Sequence, residues 1–347
     1  MKIMFICDTM GSGGAERVIA TLSNGFVERG NNVSILMLSK EAKGSFYNLH
    51  AGVKLLNLNF QSGGFFKKVH AIKNFVASEG PDIVISFLSY VCIYTWWALR
   101  HTKIPYIVSE RNDPNQRGKL KQFLLNKSFR RAAGCVFQTE DAQEWYLKKN
   151  KLNSVIIQNP VNLDFVPEKI GRIKNQILYV GRLNKQKNCF MLLKAFKLFS
   201  IKHPEFTLKM YGDGPLRDDL IDLISNLRLS NKVCLLSSSK TWQKDEYYSA
   251  MFVLSSRFEG MPNVLAEALS LGIPSVSTDC TIGGPKELKK CFPELLVLSE
   301  EINSESFSLA MEKALQIQRK TPEIPEILQK KYIINMWIKF IEGIKKK

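Results

Sequence analysis

Residues Arg257–Asp279 read R-F-E-G-M-P-N-V-L-A-E-A-L-S-L-G-I-P-S-V-S-T-D. A short apolar run of strand length, Met251–Leu254, comes just before. Pro262 and Asn263 then open a helix, with Asn263 the expected N-cap, and Gly272 with Pro274 closes it. Val276 starts another strand. Strand, loop, helix, strand is the βαβ unit of a parallel sheet. In such sheets ligands bind beyond the carboxyl ends of the strands. The loop Arg257–Asn263 lies at such an end, and the N–H groups and partial positive charge of the helix start suit a phosphate.

Two carboxylates frame this seat. Glu259 stands in the loop and Glu267 one turn into the helix, with seven residues between them. Val264, Leu265, Ala268 and Leu269 are the expected buried face, with Glu267 beside it. A lone glutamate there could simply complement the helix dipole; a second one, in a loop shaped by Gly260 and Pro262, also points to a ligand. The stretch resembles the E-x7-E signature of retaining glycosyltransferases of family 4, which have the GT-B fold. The resemblance implies that Glu259 approaches the donor sugar and that Glu267 binds the ribose hydroxyls of the nucleotide. It also implies that Gly260, Met261, Pro262, Asn263 and Val264 line the donor site.

A chain of 347 residues can hold two domains with separate cores. Its 45% hydrophobic and 23% charged content is ordinary for a globular protein. None of the seven cysteines falls in a C-x-x-C pair, and most lie in or near apolar runs, which reads as reduced thiols in a cytosolic setting. The start, M-K-I-M-F-I-C-D, is too short an apolar run for a signal peptide and reads as a first strand. Residues 83–99 are free of charge, but they fall just short of a bilayer span and are diluted by Ser86, Ser89 and Thr95. They read as a strand, Ile83–Phe87, followed by a buried helix. The net charge of +17 calls for an anionic partner or a well-solvated surface. Residues 1–160 carry +10 of it and the remainder +7.

Further stretches match the same family in order. After the strand Lys2–Cys7 comes a glycine loop ending G-G-A-E-R, residues 13–17, and then a helix with Val18, Ile19, Leu22 and Phe26 on one face. It is neither a Walker loop nor G-x-G-x-x-G. The resemblance implies that Gly13 and Gly14 face the distal phosphate of the donor across a cleft. The string S-E-R-N-D-P, residues 109–114, follows the strand Ile104–Ser109 and resembles a branch of the family that builds bacterial surface glycans on lipid carriers. Glu110, Arg111 and Asn112 are assigned to the acceptor side, with a salt-bridged turn as the other reading. Many family members place a histidine near this point, and this chain has none there.

The second half opens with the strand Gln176–Val180, the loop G-R-L-N-K-Q-K-N at 181–188 and the helix Met191–Phe199. Arg182 and Lys187 either face solvent or converge on one anion. In the family two such bases clamp the donor diphosphate, taking the place of a divalent cation. Residues 212–217 and 283–288 also match family loops. No D-x-D pair stands near a strand end and no His/Cys cluster has ligand spacing, so neither a metal site nor a cofactor is expected.

The expected architecture is α/β: two Rossmann-like domains of GT-B type facing across a cleft. Residues 1–160 form the acceptor side and 161–325 the nucleotide-sugar side, with a C-terminal helix in 326–347 crossing back. The expected reaction moves a hexose or N-acetylhexosamine from a nucleoside diphosphate sugar, UDP by resemblance, to a hydroxyl of a lipid-linked glycan, with retention. A sugar-nucleotide epimerase of the same fold, or a non-catalytic nucleotide-sugar or nucleic-acid binding protein, stays open at this level. Gln116–Arg131 holds six bases and no acid, with Leu120, Phe123 and Leu124 on one face. It reads either as a solvated face or as a helix for an anionic membrane surface, on the inner face of the cytoplasmic membrane. No nucleic-acid-binding motif accompanies the charge, so nucleic acid is not expected as a partner.

Overall fold

Strand β1 (Lys2–Cys7) is the centre of the first of two sheets in this computed structural model. The structure describes residues 1–347 except 40–43, 61–63, 112, 115–117, 149, 164, 167–170 and 346–347, and not the side chains of 59 and 60. After β1 come α1 (Gly14–Val27), β2 (Asn32–Ser39), β3 (Val53–Phe60), α2 (Phe65–Glu79), β4 (Ile83–Phe87) and α3 (Ser89–Leu99). Then follow β5 (Tyr106–Ser109), α4 (Lys119–Arg131), β6 (Gly134–Phe137), α5 (Glu140–Leu147) and β7 (Ser154–Ile156). All pairs are parallel, in the order β3-β2-β1-β4-β5-β6-β7. Strands buried on both faces carry nearly continuous apolar runs, as in β1 after Lys2 and in β4, where only Ser86 interrupts. Residues 83–99 form β4 and α3 as the sequence suggests, and no described helix is long and apolar enough to cross a membrane. The right-handed crossover rule puts α1 on one face of this sheet and α2, α3 and α4 on the other. The last three pack side by side.

The second sheet repeats the design. It is built from β8 (Lys174–Val180), α6 (Cys189–Lys202), β9 (Thr207–Tyr211), α7 (Arg217–Asn226), β10 (Val233–Leu236), α8 (Trp242–Asp245) and β11 (Ser249–Leu254). It continues through α9 (Asn263–Ser270), β12 (Ser275–Thr278), α10 (Gly284–Cys291), β13 (Leu296–Ser299) and α11 (Ser304–Leu315). The order is β10-β9-β8-β11-β12-β13, again all parallel. Its core centres on Phe196, Phe199, Leu208, Val253 and Met311, each fully buried.

By contacts the chain divides into Val161–Pro325 and a unit made of Met1–Pro160 with Glu326–Lys347. The last helix, α12 (Lys330–Lys345), completes the core of the first sheet. Its Trp337 is fully buried and stacks on Phe87 at 6.1 Å, while Ile334 fills the space beside Gly25. Larger residues at Gly25 or Gly134 would collide with Ile334, or with Phe340 and Ile344.

Candidate active site

In the second sheet the chain winds one way from β8 through β9 to β10, then crosses back to β11 on the other side of β8 and winds on through β12 to β13. The loops after β8 and β11 therefore part at the carboxyl edge, where such sheets bind ligands. Four kinds of contact fasten these loops to each other and to β12. The Arg257 N–H donates to the Gln186 carbonyl (2.8 Å), and Gln186 Nε2 to the Phe258 carbonyl (3.0 Å). Ser255 Oγ donates to the Lys187 carbonyl (2.8 Å), and Thr278 Oγ1 to the Ser256 carbonyl (2.5 Å). Held this way, Lys187 Nζ meets Glu259 Oε1 at 2.5 Å, and Ser256 Oγ donates to the same oxygen at 2.6 Å. The two side chains are 15% and 8% exposed, so the ion pair is largely out of water. Arg182 is exposed on the same loop; its carbonyl accepts the Tyr179 hydroxyl at 3.2 Å. The sequence left Arg182 and Lys187 either facing solvent or converging on one anion; Arg182 is exposed, and Lys187 pairs with Glu259.

The loops approach so closely that glycine is required at two points. A Cβ on Gly284 would run into the Gly260 carbonyl oxygen, and one on Gly212, at φ +156°, into that of Gly181. Asn188, just after Lys187, takes the left-handed conformation at φ 51°, which asparagine tolerates. Leu88 and Ile282 also have positive φ, 73° and 75°, Leu88 with an extended ψ of 149°. Bulky residues rarely adopt this, and both stand just past the carboxyl ends of strands, β4 and β12.

Helix α9 departs from the sequence reading in three respects. Its N-cap is Pro262, extended at ψ 103°, and no side chain caps the end; Asn263 is the first helical residue. Proline is fixed at a φ that suits the flanking position, and its carbonyl already accepts the Leu265 and Ala266 N–H groups. Val264 is only half-buried, so it is not part of the buried face. Glu267, by contrast, is 1% exposed, not beside the buried face but within it. The chain beyond α11 crosses over the end of α9, with the Lys320 and Glu323 N–H groups on the Gly272 and Ser270 carbonyls, and closes off water there. Gln243, itself 2% exposed, donates through Nε2 to Glu267 Oε2 (3.0 Å) and to the Asn162 carbonyl (3.1 Å). Gly260, Met261 and Pro262 are buried under the loops. Burial, with Glu259 nearby, pushes the Cys280 thiol up to about 12, which keeps it protonated and unfit as a nucleophile at neutral pH.

In the first unit Gly13 is the N-cap of α1 and Gly14 its first residue. The Tyr47 hydroxyl braces this loop on the Ser12 and Gly13 carbonyls (3.0 and 3.2 Å). Glu110 is buried and accepts the Arg111 N–H at 2.8 Å. The Arg111 guanidinium lies 4.3 Å over the Phe87 ring and donates to Asn159 Oδ1. Burial holds it down to about 9, against the pull of Glu110 and Glu16. Asn112 lies outside the described residues. Asn159, Ser256 and Gln243 were not read from sequence. An isolated polar residue carries no signal until the fold supplies its partner; Asn159 alone has a local cue, the Asn-Pro pair it forms with Pro160.

Two doubly wound sheets in one chain, each with its own core, make the GT-B architecture. Residues 12–165 match Glycosyltransferase Family 4 and residues 163–331 match Glycosyl transferases group 1. The chain belongs to this glycosyltransferase family. It is similar to a Campylobacter jejuni N-acetyl-D-galactosaminyltransferase acting on a diphospho-undecaprenol-linked glycan, at 29% identity over 99% of both chains. It is similar in fold to the pneumococcal O-GlcNAc transferase GtfA in complex with UDP and GlcNAc (TM-score 0.79, 13% identity, 100% and 99% covered). The same holds for Anabaena HepE in complex with UDP (TM-score 0.74, 16% identity, 100% and 99% covered).

Proposed function

We propose that this glycosyltransferase moves a hexose or N-acetylhexosamine, with retention, from a UDP-sugar to a hydroxyl of a lipid-linked glycan, without a metal. The observation that carries the reading is the desolvated Lys187–Glu259 pair where the second sheet reverses its winding. Lys187, the exposed Arg182 and the uncapped start of α9 supply positive charge for the leaving diphosphate. Glu259 sits beside them to meet the donor sugar, and Glu267 holds the ribose. Gly13 and Gly14 offer backbone N–H groups to the distal phosphate. Glu110 and Arg111 belong to the acceptor side, where Arg111 is fixed between Phe87 and Asn159. The Campylobacter relative supports the lipid-linked acceptor; such an acceptor keeps its anchor in the bilayer, so the enzyme would work at the inner face of the cytoplasmic membrane, on anionic lipid.

The reading is tested by incubating the protein with a panel of nucleotide sugars and a bacterial lipid extract. One donor should be consumed only when extract is present, with a glycolipid formed whose new linkage has the donor's anomeric configuration. Consumption without a glycolipid product would point to an epimerase or hydrolase instead.

Two expected results follow from the charge arrangement. Activity should survive EDTA, because the bases carry the role of a cation; full loss with recovery in Mg²⁺ or Mn²⁺ would show the charge assignment to be wrong. Arg182→Ala should lower kcat/KM by about 10- to 100-fold, the worth of one charged hydrogen bond to phosphate. An unchanged kcat/KM removes Arg182 from the site.

A further inference from the structure

The layer formed by α2, α3 and α4 combines exposed apolar side chains with one-sided charge. Leu120 and Phe66, at 74% and 72% exposure, are the most exposed large apolar side chains among the described residues, and Phe123 is 54% exposed. Phe66 is not a stray ring. It packs edge-on to Phe65 (5.5 Å) and Trp97 (6.1 Å), and the Arg100 guanidinium lies 4.0 Å over Trp97. The outer ring of this aromatic cluster therefore stands on a rigid base. Sequence reading had singled out only the α4 side.

Across the three helices there are eight Lys or Arg and one Asp or Glu, while α5, which flanks α4 on the same face, carries the acids Glu140, Asp141 and Glu144. That one acid, Glu79, is at the far end of α2 and is paired with Lys54 at 2.7 Å. Helices α2 and α4 both return from the carboxyl edge of the sheet on the same face, so their first turns lie at the same end of the layer. Phe66 sits in the first turn of α2, and Leu120 and Phe123 at the start of α4. With α3 between them, these points are two helix spacings apart, roughly 16–20 Å.

The chemistry distinguishes the partner. Six of the eight bases are lysine, a residue depleted in protein–protein contacts, where arginine is enriched. Lysine around Phe, Leu and Trp is the composition of helices that lie in the headgroup region of a bilayer. We propose that this whole layer, and not α4 alone, rests on an anionic bilayer, with Phe66 and the Leu120–Phe123 pair as two separate insertion points. The proposal builds on the reading of a lipid-linked acceptor.

The test is co-sedimentation with vesicles of phosphatidylcholine containing phosphatidylglycerol, against phosphatidylcholine alone, with UDP binding measured on every variant. Binding is expected to the mixed vesicles only and to fall away by about 0.5 M salt. Phe66→Ser and Leu120→Ser/Phe123→Ser should each weaken it about tenfold, and Lys119→Glu/Lys121→Glu by a similar factor, all with UDP binding unaltered. Brominated lipid should quench tryptophan fluorescence in the parent, and less so in Trp97→Phe. Salt-sensitive binding that ignores the apolar substitutions, or no quenching, would overturn insertion and leave the lipid-linked acceptor standing. Glycolipid formation from the extract without any vesicle binding would overturn the surface itself, again leaving the function. Absence of both vesicle binding and glycolipid formation, with UDP bound, would remove the acceptor reading too.

Discussion

Lys187→Ala is expected to lower kcat by about 30- to 1,000-fold. Loss of one charge-assisted contact to a leaving diphosphate in a desolvated site is worth roughly 2–4 kcal/mol. The structure adds a second consequence that the sequence alone did not suggest. Lys187 is the cation paired with Glu259, which is 7% exposed, so the substitution leaves a buried carboxylate with Ser256 in place of an ion-pair partner. Breaking a buried pair from one side costs about 3–5 kcal/mol where burial is complete, and less here because Lys187 keeps some solvent. The single variant should therefore also melt several degrees lower. Lys187→Met combined with Glu259→Gln removes both charges and should recover most of that Tm while staying inactive. This separates the two roles: stability follows the balance of charge, turnover follows the presence of the ammonium. A Lys187→Ala enzyme that turns over like the parent would remove the diphosphate contact, and a double variant no more stable than the single one would mean that the pair contributes little to the fold.

The elements legible in the sequence were those whose apolar runs are longest. Strands β1, β4 and β11 and helix α1 follow from runs that only a doubly buried sheet or a one-sided helix explains, whereas β12, S-V-S-T, has no such run and was marked by Gly272 and Pro274 before it. Ends were less legible: α6 runs Cys189–Lys202, longer at both ends than its apolar stretch, because Asn188 starts it from a left-handed turn and Lys202 is tolerated at its exposed end. Helix α2 went unread, since Phe65, Phe66 and two lysines at its start give no one-sided stripe, only Ile72 and Val76 being buried. Within the site, the loops were marked by glycines and by the spacing of Glu259 and Glu267, which are local facts. Pairings were not. That Lys187 lies on Glu259, seventy-two residues away, depends on β8 and β11 being neighbours. That Glu267 meets Gln243, twenty-four residues before it, depends on α8 lying against α9. Asn263 was taken as a cap on residue preference, yet the extended backbone at Pro262 moved the helix boundary by one residue.

Glu267→Ala is expected to raise the donor KM by about 10- to 150-fold with a smaller change in kcat, because a charged hydrogen bond to a hydroxyl is worth about 1.5–3 kcal/mol and the ribose is remote from the reacting bond. Its signature is selectivity. The parent should reject a donor with 2′-deoxyribose, whereas Glu267→Ala should treat the two donors nearly alike, since the group that distinguishes them is gone. Gln243 makes the same experiment sharper. Its Nε2 holds Glu267 Oε2 at 3.0 Å and ties it to the Asn162 carbonyl at 3.1 Å, with Gln243 and Glu267 both buried. Gln243→Leu keeps the carboxylate but frees its orientation, so most of the discrimination against the deoxy donor should disappear while kcat stays within a few-fold of the parent. Gln243→Glu would set two carboxylates against each other in a buried space and should be worse than leucine for both stability and KM. If Glu267→Ala loses discrimination and Gln243→Leu keeps it, the glutamate binds ribose without being positioned by Gln243. If neither variant changes the ratio of kcat/KM for the two donors, Glu267 does not meet the ribose, and its burial serves the packing of α9 alone.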